Sequence, residues 1–295
     1  MALPPLYKYL DVQGAKLTLG NNTFRHAKPS TFNDVEDLTI KSIFPEEIDA
    51  ALERLASGFI DVIVANLDEK PTCSDALAKK VAELQKIFRA NPLADEIVRE
   101  EIRKQKLYDV DYWRERSKAF VEEINAFMQS YRVLCVATNK DSEQMWEGYA
   151  DKHKGIVLRI VPNIEKDSKF QKFAPVHYHQ ERPSLYDNTM DFANGSLFGD
   201  QEATKRAMLD KTIYSKTLKW KHESEYRLAI PLAEGEEDWT TLPYHPEEIT
   251  ELYLGMAMTL EDKAEIVGKA KALNPDIAVF QARRVGKDGF AFDAV

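Results

Sequence analysis

Residues 216–230, K-T-L-K-W-K-H-E-S-E-Y-R-L-A-I, gather more chemically capable side chains than any other stretch of the chain. Residues 212–221 read as the end of a helix. From 223 to 231 β-branched and aromatic residues alternate with charges, which predicts a strand. Successive strand side chains point to opposite faces. Glu223, Glu225 and Arg227 therefore share one face, and Ser224, Tyr226 and Leu228 the other. Two carboxylates and a guanidinium in line suit a site that stabilises a cation or positions a hydroxyl. A salt-bridged edge strand would carry the same residues. Trp220 upstream and the apolar sequel Leu228-Ala229-Ile230 favour an interior strand, where carboxylates need partners or a task. At strand spacing the two glutamates stand about 7 Å apart, so one of them takes the catalytic position. Glu225 is the choice, held ionised by Arg227, with Glu223 as a structural or hydroxyl-orienting partner.

Other candidates lie earlier in the chain. Tyr7-Lys8-Tyr9 puts two tyrosines on one strand face with Lys8 opposite. That is either a pair of half-buried aromatics or an aromatic platform with a phosphate-reaching cation. Residues 29–37, P-S-T-F-N-D-V-E-D, form a loop dense in Asn and Asp, residues that commonly cap turns. In a cleft, Asn33 would bind a ribose or a carboxamide. Asp34 and Asp37, joined by Glu223 and Glu225, would instead offer oxygen ligands to a divalent metal. Trp146 and Tyr149, three apart on a short helix, share a face; such a pair is usually core and is otherwise a cofactor wall. His153 reads as a surface residue. His177 and His179 alternate on one strand face without a third ligand at zinc spacing, so no metal site is expected. No nucleophile elbow, phosphate loop or dinucleotide glycine fingerprint is present.

The elements that must position these groups change character along the chain. Before residue 40 the sequence reads as extended, with strands at 6–10, 15–19 and 23–27. Residues 45–131 have helical period. A first helix opened by Pro45 carries Ile48, Leu52, Leu55, Phe59 and Ile63. A second is capped by Ser74, a third opened by Pro92, and a fourth runs through Phe120, Ile124, Phe127 and Tyr131. Strands return at 133–137, 156–161 and 176–179, around a short amphipathic helix ending at Gly155. Residues 183–200 look irregular and 201–221 helical. Strands follow at 252–255 and, last, at 277–283, with a helix capped by Thr259 between them. The pattern is α+β: a single domain over 1–295, with a helical block inserted at 45–131.

Composition narrows the classes. The chain has 295 residues, of which 44% are hydrophobic and 30% charged, and a net charge of −9. That balance suits a globular core and disfavours a generic phosphate-backbone binder. The two cysteines, Cys73 and Cys135, match no metal spacing. No signal peptide or membrane-length apolar run is apparent, so the expectation is a cytoplasmic protein with free thiols and no membrane partner.

L-Y-K-Y, P-S-T-F-N-D-V-E-D, V-L-C-V-A-T-N, M-W-E-G-Y-A-D-K-H-K-G-I-V-L, V-H-Y and K-T-L-K-W-K-H-E-S-E-Y-R-L occur in this order. Together they resemble the bacterial family catalogued as domain of unknown function 2971. The chain departs from the family at Val35, where a proline is usual, and at Ala137-Thr138, where Phe-Ser is usual. The element order is in turn similar to that of ADP-ribosyltransferases, an analogy of layout that includes toxins acting on DNA. It implies a split, mixed and antiparallel sheet with a cleft. It also implies NAD as substrate, with Tyr7, Lys8 or His26 on the nicotinamide side, Asn33 at the ribose or its loop, and Glu223 or Glu225 as catalytic acid oriented by Arg227. Tyr9, Trp146 and Tyr149 complete the cofactor-binding candidates. The expected function is transfer of ADP-ribose to a protein or nucleic-acid acceptor, as in a toxin or phage-defence effector. The alternatives are a metal-dependent nuclease or phosphoesterase, and a non-enzymatic interaction module whose helical block dimerises through surplus apolar faces.

Overall fold

A computed structural model describes residues 3–91, 93–105, 110–232, 237–286 and 289–295. Strand β1 (Leu6–Leu10) leads into helix α1 (Val12–Asn21) and strand β2 (Thr23–Ala27). The stretch expected to be extended at 15–19 is thus helical. Asp11 caps α1, its carboxylate accepting from the Gly14 N–H at 2.5 Å, and Asn22 closes it in the left-handed region at φ 54°. These two local hydrogen-bonding residues override the β-prone composition between them.

Helices α2 (Ile48–Ala65), α3 (Asp75–Ala90), α4 (Ala94–Gln105) and α5 (Val110–Met128) follow. Pro92, expected to open the third helix, lies outside the described residues. Tyr131, assigned to the fourth helix from its spacing, instead begins β3 (Tyr131–Ala137). Then come α6 (Glu143–Tyr149), β4 (Ile156–Ile160), β5 (Ala174–Pro175) and β6 (His177–His179). The stretch 183–200 contains α7 (Thr189–Leu197), capped by Asn188. Helix α8 (Gln201–Ile213) stops well short of residue 221, and β7 (Ser215–Thr217) and a 3-10 turn, Leu218–Glu223, take its place. The remaining elements are β8 (Glu225–Pro231), β9 (Trp239–Pro243), β10 (Ile249–Leu254), α9 (Leu260–Leu273), β11 (Ala278–Val285) and β12 (Gly289–Ala294). Neither β9 nor β12 was apparent from the sequence.

The described residues form two compact units. One comprises 1–37, 129–181 and 216–295; the other comprises 38–128 and 182–215. The helical portion is therefore larger than 45–131, because α7 and α8 belong with it. It has its own core, in which Phe44, Leu55, Ile63, Val81, Phe88 and Leu197 are buried. None of its helices, and none elsewhere among the described residues, is long and apolar enough to cross a membrane.

The first unit is α+β with a mixed, largely antiparallel sheet. The strand order is β12-β11-β10-β4-β1-β3-β2-β9, with β8 paired to β3 and β5 to β8. Among the described residues of this sheet, β10 and β11 are the parallel pair, joined through α9 as a crossover needs. Strand β3 pairs with β8 along all seven of its residues. It touches β1 only at Tyr7↔Ala137 and β2 only at Ala27↔Val133. The sheet parts at β3 into two branches. One face packs Leu6, Leu158, Leu252 and Leu134 under α1 and α9, and the other packs Tyr7, Tyr9, Val157 and Tyr253 against Trp146 of α6.

The turn from α6 to β4 fixes that helix on the sheet. Gly155 lies against the Leu10 carbonyl oxygen, where any Cβ would collide with backbone, and Gly255 lies in the same way against the carbonyl of His153. The Gly255 N–H donates to the Gly155 carbonyl at 2.9 Å, tying β10 to the turn. Replacing Gly155 by Ala is expected to cost about 1–3 kcal/mol, the usual penalty of overpacking, read as a lowered midpoint in thermal or urea unfolding. An unchanged midpoint would show that this backbone contact is looser than described.

Candidate active site

Because β1 and β3 meet at one residue pair, the space beside that pair is open. A cavity of about 340 Å³ lies there. Tyr7, Lys8 and Tyr9 of β1 and Cys135 of β3 form two of its sides, and Asn33 and Tyr149 a third. Lys216, Glu223 and Glu225 complete it. As alternation along a strand requires, Tyr7 and Tyr9 pack on the same face, whereas the Lys8 ammonium reaches the Cys135 carbonyl at 2.9 Å.

Five buried charges lie at this wall. The Lys216 ammonium lies 2.5 Å from Glu223 Oε2, 3.2 Å from Glu225 Oε2 and 3.3 Å from Asp37 Oδ2. The Arg227 guanidinium donates through Nε to Glu225 Oε1 at 2.8 Å and through Nη2 to Glu225 Oε2 at 3.0 Å. Its Nη2 also reaches Asp37 Oδ2 at 2.7 Å. The Tyr149 hydroxyl donates to Glu223 Oε1 and accepts from Asn33 Nδ2 at 3.0 Å. The face of Trp220 lies 5.0 Å from the Lys216 ammonium and 5.6 Å from that of Lys219, which pairs with Asp34 at 3.3 Å.

Backbone geometry brings the two glutamates together by a route the sequence did not reveal. Glu223 is not on the strand; it ends the 3-10 turn, and Ser224 follows in the left-handed region at φ 45°. The strand begins at Glu225, whose N–H donates to the Tyr178 hydroxyl at 2.9 Å and whose carbonyl accepts from Val176 at 2.9 Å. The expected separation of about 7 Å along one strand is replaced by a shared ammonium between the two carboxylates.

The electrostatic environments differ. Burial alone would raise the Glu225 carboxyl, but Arg227 and Lys216 outweigh it and hold the group well below the usual carboxylate range. Glu223 goes the other way: burial, with the Glu225 charge adding to it, outweighs Lys216 and raises it. Burial would lower Lys216, and Glu225, Asp37 and Glu223 together hold it far up instead. Burial lowers Lys8 and raises the Cys135 thiol, which bonds Glu225.

Among the expected site residues, Tyr7, Lys8, Tyr9, Asn33, Tyr149, Glu223 and Glu225 border one cavity. Arg227 sits behind it, completely buried, and orients Glu225 as expected. Two expected binders lie elsewhere. Trp146 is completely buried beneath Tyr9, its indole N–H donating to the Lys140 carbonyl at 2.9 Å. His26 is buried in β2 with Nδ1 3.1 Å from the Phe24 carbonyl, and burial pushes its imidazole down to about 4, so it is neutral at pH 7. Trp146 and Tyr149 are parted by their three-residue offset, one in the core and one at the cavity. Lys216 and Tyr178 were missed. The only sequence signal for Lys216 was its place at the head of the K-T-L-K-W-K run. Asp34, Asp37, Glu223 and Glu225 do not converge on an open position, since the Lys216 ammonium occupies the middle of three of them and Lys219 pairs with the fourth.

Residues 145–228 match the family model described as Protein of unknown function (DUF2971), which bears out the family resemblance over that stretch. It spans Tyr149, Lys216, Glu223, Glu225 and Arg227. Neither the curated proteins nor the solved structures returned a match.

Opposite shifts of the two glutamates give opposite pH signatures. Glu225 holds its proton less tightly when folded, so its contribution is complete above the ordinary carboxylate range, about 4.3, and is lost as pH falls below it. Glu223 holds its proton more tightly when folded, so its part of the stability falls as pH rises above that range. Urea unfolding of Glu223→Gln between pH 4 and 7 should therefore show the variant gaining on the wild type as pH rises. A difference that is flat or of opposite slope would mean that Glu223 is not raised by its surroundings.

Proposed function

We propose that the chain is an ADP-ribosyltransferase-like enzyme that uses NAD as substrate and transfers ADP-ribose to a protein or nucleic-acid acceptor. The observation that carries this reading is the meeting of Tyr7, Tyr9 and Tyr149, Asn33 and the pair Glu223/Glu225 around one cavity. First strand, early loop and late strand contribute in the order such enzymes use. A cavity of this size lies within the range of small-molecule sites and suits the nicotinamide-ribose end of NAD.

In this reading the bond between ribose C1′ and the nicotinamide nitrogen breaks, and its electron pair leaves with neutral nicotinamide. Positive charge develops on the ribose ring. The carboxylates of Glu223 and Glu225 line the cavity wall, where fixed negative charge at close range would stabilise that ring. Aromatic rings keep water from it. A nucleophilic group of the acceptor then bonds to C1′ and gives its proton to Glu223, whose raised proton affinity suits a base working near neutral pH. Glu225, held ionised by Arg227, supplies fixed charge, and Asn33 and Tyr149 orient the ribose hydroxyls. No comparable observation supports the phosphoesterase or the interaction module.

Incubation of the protein with NAD is expected to release nicotinamide and, in the presence of the acceptor, to label it. Glu223→Gln should lower the rate on the order of a hundredfold, and Tyr149→Phe should lower it less, each scored per folded molecule. Absence of NAD binding by calorimetry at millimolar ligand would sink the proposal. Full nicotinamide release by Glu223→Gln would remove that residue from the chemistry.

A further inference from the structure

We propose that Glu143, Glu147 and His153 form a binding site for one first-row divalent metal ion of the zinc type, separate from the cavity and independent of the ADP-ribosyl reading. Glu143 and Glu147 lie four apart on α6, which places both carboxylates on one helix face. His153 comes from the turn beyond, where Asp151, Lys152 and His153 are all left-handed, at φ 44°, 52° and 65°. Three successive non-glycine residues in that region are costly, and what they achieve is to turn an imidazole back onto the helix that precedes it.

The His153 side chain is only 7% exposed and packs against the rings of Trp146 and Phe290, which also contact each other. Its Nε2 points between the two carboxylates, 3.2 Å from Glu143 Oε1 and 3.3 Å from Glu147 Oε1. Two ligands of a tetrahedral zinc, each 2.0–2.1 Å from the metal, stand about 3.3 Å apart. Both edges from the histidine have that length. One ligand atom from each residue falls within 4.8 Å of the other two. A second sign is that Glu143 Oε2, on one of the two carboxylates, is buried without a hydrogen-bond partner. In the tautomer that leaves Nε2 unprotonated, its lone pair faces two carboxylate oxygens, and a metal cation would bind all three acceptors at once.

The charges allow it. Among the described residues, Arg284 is a cation paired with this cluster; it donates to Glu143 at 2.7 Å and is 38% exposed. It balances one of the two carboxylates, so among the described residues a divalent ion would meet a site that keeps a negative charge. One nitrogen and two oxygens favour a transition metal over magnesium or calcium, which prefer oxygen alone. The ion would clamp α6 to the turn at its end, and α6 carries Tyr149 into the cavity.

The test is calorimetric titration of the full chain, first stripped with chelator, with zinc chloride. One ion per chain is expected, with no heat from magnesium chloride. Glu147→Gln changes an exposed, non-core side chain and is expected to weaken zinc binding by more than the roughly tenfold that follows loss of an outer partner. His153→Gln should do the same. Arg284→Gln should tighten binding, because it removes the competing cation, whereas a cluster serving only as a salt-bridge network would lose stability and gain no affinity. Cobalt in place of zinc should show the intense visible bands of a tetrahedral site. Silence at millimolar zinc, or equal zinc affinity in Glu147→Gln and the wild type, overturns the assignment.

Discussion

Everything at the candidate active site depends on the burial of one ammonium group. Lys216 draws three carboxylates onto a single point, and each comes from a different segment: Asp37 from the loop after β2, Glu223 from the 3-10 turn and Glu225 from the start of β8. Removing an ion from water costs several kcal/mol even after the protein relaxes, and only close partners offset that cost. None of these groups can be buried alone. Arg227 is the second anchor, and its planar fork suits the task where another lysine would not. It grips both oxygens of Glu225 and reaches on to Asp37.

The local backbone follows from that convergence. Between β7 and β8 the chain has to return two carboxylates, two residues apart, to one cation. A continuous strand would keep them apart. The chain instead coils through the 3-10 turn and reverses at Ser224, a non-glycine residue in the left-handed region. Such a residue persists when its surroundings over-determine it. Here the Ser224 carbonyl accepts from Thr138, the Tyr178 hydroxyl receives the Glu225 N–H, and the side chains of residues 223 and 225 are both held by Lys216. On the other wall the sheet parts where β1 leaves β3. The cavity is therefore bounded by a buried ion network on one side and by packed tyrosines on another, with little freedom in either.

Much of this was legible in the sequence, and the failures have physical causes. Alternation predicted β1, β2 and β4, the shared face of Tyr7 and Tyr9, and the pairing of Glu225 with Arg227, because those features are local. The helix at 12–21 was hidden because its signals, Asp11 and Asn22, sit at its ends while its interior reads as β-prone. Glu223 was placed on a strand because a left-handed serine leaves no mark in composition. Lys216 went unnoticed for a deeper reason. In a run with Lys219 and Lys221 nothing distinguishes the lysine that will be buried, and its partner Asp37 is distant in sequence. Tertiary pairing alone separates it from its solvated neighbours. His153 read as a surface residue for the same reason, since its stacking partner Phe290 stands far along the chain.

The two glutamates then divide the work that one could not do. A carboxylate gripped by a guanidinium and an ammonium keeps its charge into acid, but the same grip leaves it almost no basicity. Glu225 is in that position. Glu223 shares only the ammonium and a tyrosine hydroxyl, and its burial is less fully offset, so its affinity for a proton rises. Adjacent carboxylates whose surroundings push them in opposite directions are the usual basis of an acid–base assignment. The asymmetry has its source in the fold, because Arg227 shares a strand face with residue 225 and cannot share one with a residue beyond the Ser224 reversal. A single left-handed serine therefore makes two otherwise equivalent glutamates chemically distinct.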